Sequence, residues 1–153
     1  MQLLELRVPP VALFLVAAAV MGGLAVFTGT DRITFPGQLL AASVLLLAAG
    51  LVGLASVRVF ARHETTVNPL RPERASRLVA AGIYRYSRNP MYLSLLLALA
   101  AWATWLGSIA AAVVLPVFAG AMTRWQIRPE ERALAALFGD EFEAYRRRVR
   151  RWL

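Results

Sequence analysis

Four apolar stretches separated by short polar segments set the pattern of the chain. The first covers residues 8–27, entered through Pro9 and Pro10, and the second covers residues 38–57. Each has the roughly 20 residues that a helix needs to cross a hydrocarbon core about 30 Å thick. The third (91–106) and fourth (108–122) are shorter and parted only by Gly107, a spacing that predicts a tight helical hairpin. Pro116 is expected to kink the fourth, which can lengthen toward Arg128 if Arg124 snorkels and Trp125 sits at the interface. No alternating strand pattern occurs. The predicted fold is therefore an all-α integral membrane protein with four transmembrane helices, the last two forming the hairpin.

The polar segments have patterns of their own. In the loop after the second span, Pro72 suits a first helical position, Arg74 to Ala81 predicts a short helix, and Gly82 is expected to end it. Asn89-Pro90 reads as an N-cap followed by proline at N1, opening the third span. In the tail, Leu134, Leu137, Phe138, Phe142, Tyr145, Val149 and Trp152 fall on one helical face. Gly139-Asp140 reads as a stop and restart, with Asp140 capping and Glu143 at N3. Two short amphipathic helices lying on the cytoplasmic face of the membrane are expected.

Composition agrees with a lipid environment. The chain is 59% hydrophobic and 17% charged with mean hydropathy +0.57, against about 45–50% and about 25% in soluble domains. A single core within 153 residues cannot hide that much aliphatic surface. There is no cysteine and one histidine, His63, so disulfides, thiolate chemistry and a His- or Cys-rich metal site are not expected.

All 17 basic residues are arginines, and the net charge is +8. They cluster between Arg58 and Pro90 and after Thr123, beside the apolar stretches, as the positive-inside rule produces; nucleic acid is not the expected partner. With an even number of spans, both termini and the Arg58 to Pro90 loop are expected on the cytoplasmic side, and the first span is expected to be retained rather than cleaved.

The four spans hold no Asp, Glu, Lys, Arg or His, which disfavours ion-coupled transport through the bilayer midplane. Polar chemistry gathers instead in residues 82–92 and 126–131, which the hairpin must bring together. Tyr84 and Tyr92 offer aromatic faces, Arg85 and Arg88 guanidinium groups, Asn89-Pro90 a helix start whose N–H groups favour an anion, and Glu130 and Glu131 carboxylates. Together they suit a zwitterion carrying an aromatic ring, with its ammonium at Glu130. Glu131 beside Arg128 reads equally well as a surface pair.

The run Gly82-Ile-Tyr-Arg-Tyr-Ser-Arg-Asn-Pro-Met-Tyr92, then a hairpin, then Glu130-Glu-Arg-Ala-Leu-Ala-Ala-Leu-Phe-Gly-Asp-Glu-Phe-Glu-Ala-Tyr145, resembles the isoprenylcysteine carboxyl methyltransferase and phospholipid methyltransferase superfamily. The resemblance covers residues 68–152, and within it two motifs flank a hairpin of the right size. It implies a single membrane domain, with residues 1–57 as two N-terminal spans and 58–153 as the methyltransferase core. It also implies S-adenosylmethionine as methyl donor, leaving S-adenosylhomocysteine, in a pocket covered by the tail. Cofactor contacts carried over fall on Ser76, Arg77, Leu78, Val79, Tyr84, Asn89, Pro90, Met91, Tyr92 and Glu130.

Asn89 stands where many members have histidine, and Gln126 where the eukaryotic carboxyl methyltransferases place an arginine that meets substrate. The expected function is methyl transfer to a lipophilic small molecule or lipidated acceptor at the cytoplasmic face of a membrane, expected to be a bacterial inner membrane. Two other readings stand beside it: N-methylation of a phospholipid headgroup, and a non-catalytic scaffold whose arginines bind anionic lipid.

Overall fold

The computed structural model describes residues 8–29, 32–62 and 78–153, and among these it is helical without a strand. The helices are α1 (Pro10–Phe27), α2 (Gln38–Arg62), α3 (Pro90–Leu106), α4 (Ile109–Ala112), α5 (Val114–Met122) and α6 (Arg128–Arg148). A 3₁₀ turn, Gly82–Arg85, precedes α3, and a π-helical turn, Thr123–Ile127, joins α5 to α6.

Three helical stretches, Pro10–Phe27, Gln38–Val59 and Ile109–Arg148, are long and apolar enough to cross a membrane, and Pro90–Leu106 is a shorter apolar helix beside them. Only 17% of the apolar window of α2 is buried, so most of its leucines and valines need lipid as solvent. The interior is built where α1, α3 and the α4–α5 arm meet, around Met21, Leu99, Ala111, Phe118 and Met122. Along α2 and α3, Gly53 lets the backbones approach until an added Cβ would stand 3.2 Å from Ser94 Oγ.

The kink expected from Pro116 appears one turn earlier, where Val113 separates α4 from α5. Proline has no N–H for the Ala112 carbonyl and its ring crowds that group, so the helix opens on the preceding turn. Ser108 caps α4 by accepting from the Ala111 N–H at 3.3 Å.

The hairpin tip is fixed from outside the hairpin. Gly107 is left-handed at φ 60° and caps α3. The Ile33 N–H donates to its carbonyl at 2.7 Å, and Gln38 Nε2 donates to the Thr104 carbonyl at 2.7 Å. The backbone thus comes so close that a Cβ on Gly107 would lie 2.5 Å from the Ile33 carbonyl oxygen.

Three sequence expectations change. The short helix expected over 74–81 lies largely outside the described residues; its described end, 78–81, is not helical, and Gly82 opens a 3₁₀ turn instead of closing a helix. The first tail helix is not separate from the fourth span, because the π turn carries the chain into α6 without a break. Gly139 does interrupt α6, at φ 47° and ψ −121°. The tail also does not lie free on a membrane surface. Phe142, Tyr145 and Val149 pack with Leu134 and Phe138 over Leu78 and Ala80, while Leu137, at the edge of that face, is 47% exposed.

Gly107→Ala should cost about 1–3 kcal/mol, since it adds both a disfavoured φ and a clash with Ile33. Gly120→Ala, whose Cβ meets nothing within 4 Å, should be neutral or slightly stabilising. Thermal unfolding of the two variants in one detergent measures the difference.

Candidate functional site

Both polar motifs arrive at one end of the bundle. Pro90 starts α3 there as its first residue, fully buried, and Tyr92 follows in the first turn. The π turn and α6 bring Glu130 to the same place, and the Tyr92 hydroxyl donates a hydrogen bond to Glu130 Oε1 across 38 residues of chain. Tyr84, buried in the 3₁₀ turn, completes the group, and its hydroxyl is hydrogen-bonded with Ser56 of α2. Gly82 makes that turn possible: at φ 57° a Cβ would lie 2.7 Å from Val59 Cγ2.

Charge rules out α6 as a membrane-crossing segment, since seven of its residues are arginines, glutamates or an aspartate before Tyr145 is reached. Its adjacent carboxylates Glu130 and Glu131 behave in opposite ways. Burial pushes Glu130 up to about 8, although the hydrogen bond from Tyr92 works in the other direction. For Glu131 burial also works upward, but hydrogen bonds from Arg151 and Arg88 and the charges of both hold the carboxyl below its usual range. Tyr84 is raised, by burial first and then by Tyr145 and Glu130. Glu130 is thus the carboxyl able to exchange a proton near neutrality, and Glu131 is a fixed anion.

Glu131 does not pair with Arg128, which is exposed; it lies between Arg88 and Arg151, each at 2.6 Å. Arg88 also donates through Nη1 to the carbonyls of Arg146 at 2.9 Å and Val149 at 3.0 Å, and through its backbone to Arg150 at 3.0 Å. Asn89 does not cap α3. Its Nδ2 donates to the Arg151 carbonyl at 3.0 Å, while the Asn89 N–H donates to Ser87 Oγ at 3.2 Å. Tyr145 donates to the Tyr84 carbonyl at 2.8 Å, and Trp152 Nε1 donates to Thr123 Oγ1 at 3.3 Å. The tail is therefore clasped to this segment at Tyr84, Arg88 and Asn89.

Of the residues singled out in sequence, Tyr84, Asn89, Pro90, Met91, Tyr92 and Glu130 come together. Val79 is buried; Leu78 packs beneath the tail with Phe142. Ser76, Arg77 and His63 lie outside the described residues, and Arg85 is exposed. Gln126 is fully buried in the π turn and donates through Nε2 to the Val8 carbonyl at 2.6 Å. Ser56 was not foreseen. Its signal was present, as a serine near the end of an apolar span, where a polar side chain is expected to turn inward.

The donor set fits the implied cofactor. Because α3 begins with proline and has no side-chain cap, the Met91 and Tyr92 N–H groups at its start are oriented for an anionic group. Glu130 has spare lone pairs for an ammonium or hydroxyl, and tyrosine rings adjoin it. A zwitterionic amino-acid moiety would have complementary groups for both of its charges.

Arg88→Ala should release the tail more than Arg151→Ala. The Arg88 side chain is 9% exposed and grips two carbonyls besides Glu131, whereas that of Arg151 is 34% exposed. Removing the better-buried partner should cost about 3 kcal/mol. Amide hydrogen exchange over residues 145–152 should rise strongly in the first variant and modestly in the second.

No solved structure matches the chain. A Haemophilus influenzae protein described only as an uncharacterized protein is 48% identical over 63 residues, which is 41% of this chain and all of that one. The phospholipid methyltransferase family model matches residues 37–141, a stretch running from the start of α2 through the hairpin and past Glu130 and Glu131 in α6. With well over half of its length matched, the chain belongs to the phospholipid methyltransferase family of membrane methyltransferases.

Proposed function

We propose that the protein transfers a methyl group from S-adenosylmethionine to a lipophilic acceptor drawn from the bilayer, at the end of the bundle where Tyr92 meets Glu130, and that this end faces the cytoplasm. The observation that carries the reading is the hydrogen bond joining these two residues, which unites both motifs in one partly buried polar group. Membership of a membrane methyltransferase family supports it. The arginines clustered around this end support the orientation.

When bound, S-adenosylmethionine supplies an electrophilic methyl group on a positively charged sulfur. The chain's own task is to hold and orient. The N–H groups of Met91 and Tyr92 suit a carboxylate, ionised Glu130 suits an ammonium, and the faces of Tyr84 and Tyr92 suit a cationic sulfur or a flat base. Asn89 and Pro90 shape the start of α3, and cofactor contact is also assigned to Ser76, Arg77, Leu78 and Val79 on the resemblance, the first two outside the described residues. Gln126, on the α1 side, is assigned to the acceptor. Methyl transfer in line needs little more than two reactants held at contact, and positioning can supply about 7–11 kcal/mol when alignment is good.

Calorimetric titration of detergent-purified protein with S-adenosylmethionine and S-adenosylhomocysteine tests this. Saturable binding is expected, weakened roughly tenfold in Glu130→Gln, because a charge-assisted hydrogen bond to the ammonium is replaced by a neutral one. The ionised carboxylate is the binding form, so affinity should rise as pH climbs toward about 8, and this rise should be lost in Glu130→Gln. A folded parent that binds neither compound would remove the reading.

A further inference from the structure

Residues 149–152 cross the end of the bundle where the polar group lies, and every one of them is held. The carbonyls of Val149, Arg150 and Arg151 accept from Arg88 Nη1, the Arg88 N–H and Asn89 Nδ2, each at 3.0 Å. The Arg151 guanidinium reaches Glu131 at 2.6 Å, and Trp152 Nε1 donates to Thr123 Oγ1 at 3.3 Å. Asn89 stands immediately before α3, Thr123 opens the π turn, and Glu131 follows Glu130. Arg151 and Trp152 therefore straddle the seam in which the Tyr92 hydroxyl donates to Glu130.

Of the side chains in this crossing, Trp152 alone brings apolar surface to the Tyr92 side. Val149 packs with Phe142 and Tyr145 in the separate cluster beneath the tail, and Arg150 is exposed. Trp152 packs against the buried cluster that includes Tyr92, Met122 and Ile127. An indole has a broad apolar body and a single N–H that needs a partner. Thr123 supplies that partner while its own hydroxyl donates to the Ala119 carbonyl at 2.7 Å, so the ring can be half-buried here without an unpaired donor.

We propose that Trp152 is a positioning residue: its indole closes the seam between α3 and the π turn, keeps water from the Tyr92–Glu130 pair, and so holds the two side chains in their bonded arrangement. Among the described residues, the titratable groups facing Glu130 are Tyr92 from α3, Tyr84 from the 3₁₀ turn and Glu131 beside it. Arg88 and Arg151, the cations closest in the fold, are both bonded to Glu131. Burial is accordingly the largest influence on Glu130. Trp152 carries no charge, so it acts on that carboxyl by covering it. The hold on the pair stands on geometry; its bearing on a methyl donor rests on the methyl-transfer reading.

The test titrates the full chain in lipid nanodiscs by infrared spectroscopy, following the protonated carboxyl band that disappears in Glu130→Gln. In the parent the group should be half-ionised near pH 8. Trp152→Ala should lower that midpoint by about one to two pH units, because water then solvates the ionised form. Trp152→Phe keeps the apolar cover and gives up the N–H, and should return the midpoint to within about half a unit of the parent. Trp152→Gln keeps an N–H for Thr123 without the cover; it should behave as the alanine variant does, and it replaces that variant should alanine prevent folding. Tyr145→Phe loosens the tail elsewhere, by removing its bond to the Tyr84 carbonyl, and should leave the midpoint where it was.

A midpoint unmoved in Trp152→Ala and Trp152→Gln, or moved as far by Tyr145→Phe, would overturn the proposal. S-adenosylhomocysteine affinity measured against pH on the same samples separates the two readings. If the rise in affinity moves down together with the carboxyl midpoint, both stand. A shifted midpoint in a chain that binds no S-adenosylhomocysteine removes methyl transfer and leaves the seal, and an unshifted midpoint with binding retained removes the seal alone.

Discussion

The arrangement hangs on one carboxylate. Glu131, anionic and held at 2.6 Å by both Arg88 and Arg151, ties together the segment before α3, the start of α6 and the end of the chain. Each belongs to a different part of the sequence, and the apolar contacts of Trp152 with the Tyr92 and Ile127 cluster join the same three parts. The packing under the tail is small, built on Phe142, Tyr145 and Val149. A pair with side chains 9% and 12% exposed costs heavily in desolvation, which is offset in part because Arg88 Nη1 finds two backbone carbonyls, although its Nε has no partner. With that clasp in place Asn89 can reach the Arg151 carbonyl, and Trp152 can enter the bundle to meet Thr123.

The membrane imposes the complementary constraint. Lipid satisfies the apolar sides of α1 and α2 but offers backbone groups nothing, so irregular backbone has to find partners within the protein. The hairpin tip shows how. The Gly107 carbonyl accepts from Ile33, and the last carbonyls of α3 accept from Gln38. The π turn is the corresponding device at the other end. Its extra residue rotates Gln126 and Ile127 fully inward, and such turns are often found where function needs a side chain re-aimed.

Spans, hairpin and the meeting of the two motifs were legible because each is local or follows from a local feature. Apolar runs define helices, Gly107 forces the reversal, and the reversal places Tyr92 near Glu130. The helix break at Gly139 and the buried face of Phe142 and Tyr145 were legible for the same reason. What could not be read depends on partners far away in the chain. Asn89 has the composition of a cap, and only the position of Arg151 turns it away from its own helix. Arg85 and Arg88 look alike in sequence, yet one is exposed and the other is enclosed by a tail some 60 residues on. The π turn has no sequence mark, since Thr123 to Ile127 would continue an ordinary helix equally well.

The allocation of arginines explains the character of the site. Arg88 and Arg151 are spent on Glu131, and Arg85, Arg124 and Arg128 are exposed. Around Glu130 the described side chains are hydroxyls, aromatic rings and an amide, with no guanidinium bonded to its carboxyl. Were an arginine to reach Glu130, its carboxylate would be held as a permanent ion, as Glu131 is. Sequestering the cations on the neighbouring residue leaves Glu130 to burial and to Tyr92, which keeps its charge adjustable. Two adjacent glutamates thus divide the work: one closes the structure by being fixed, and the other stays chemically responsive because the first has taken the available positive charge.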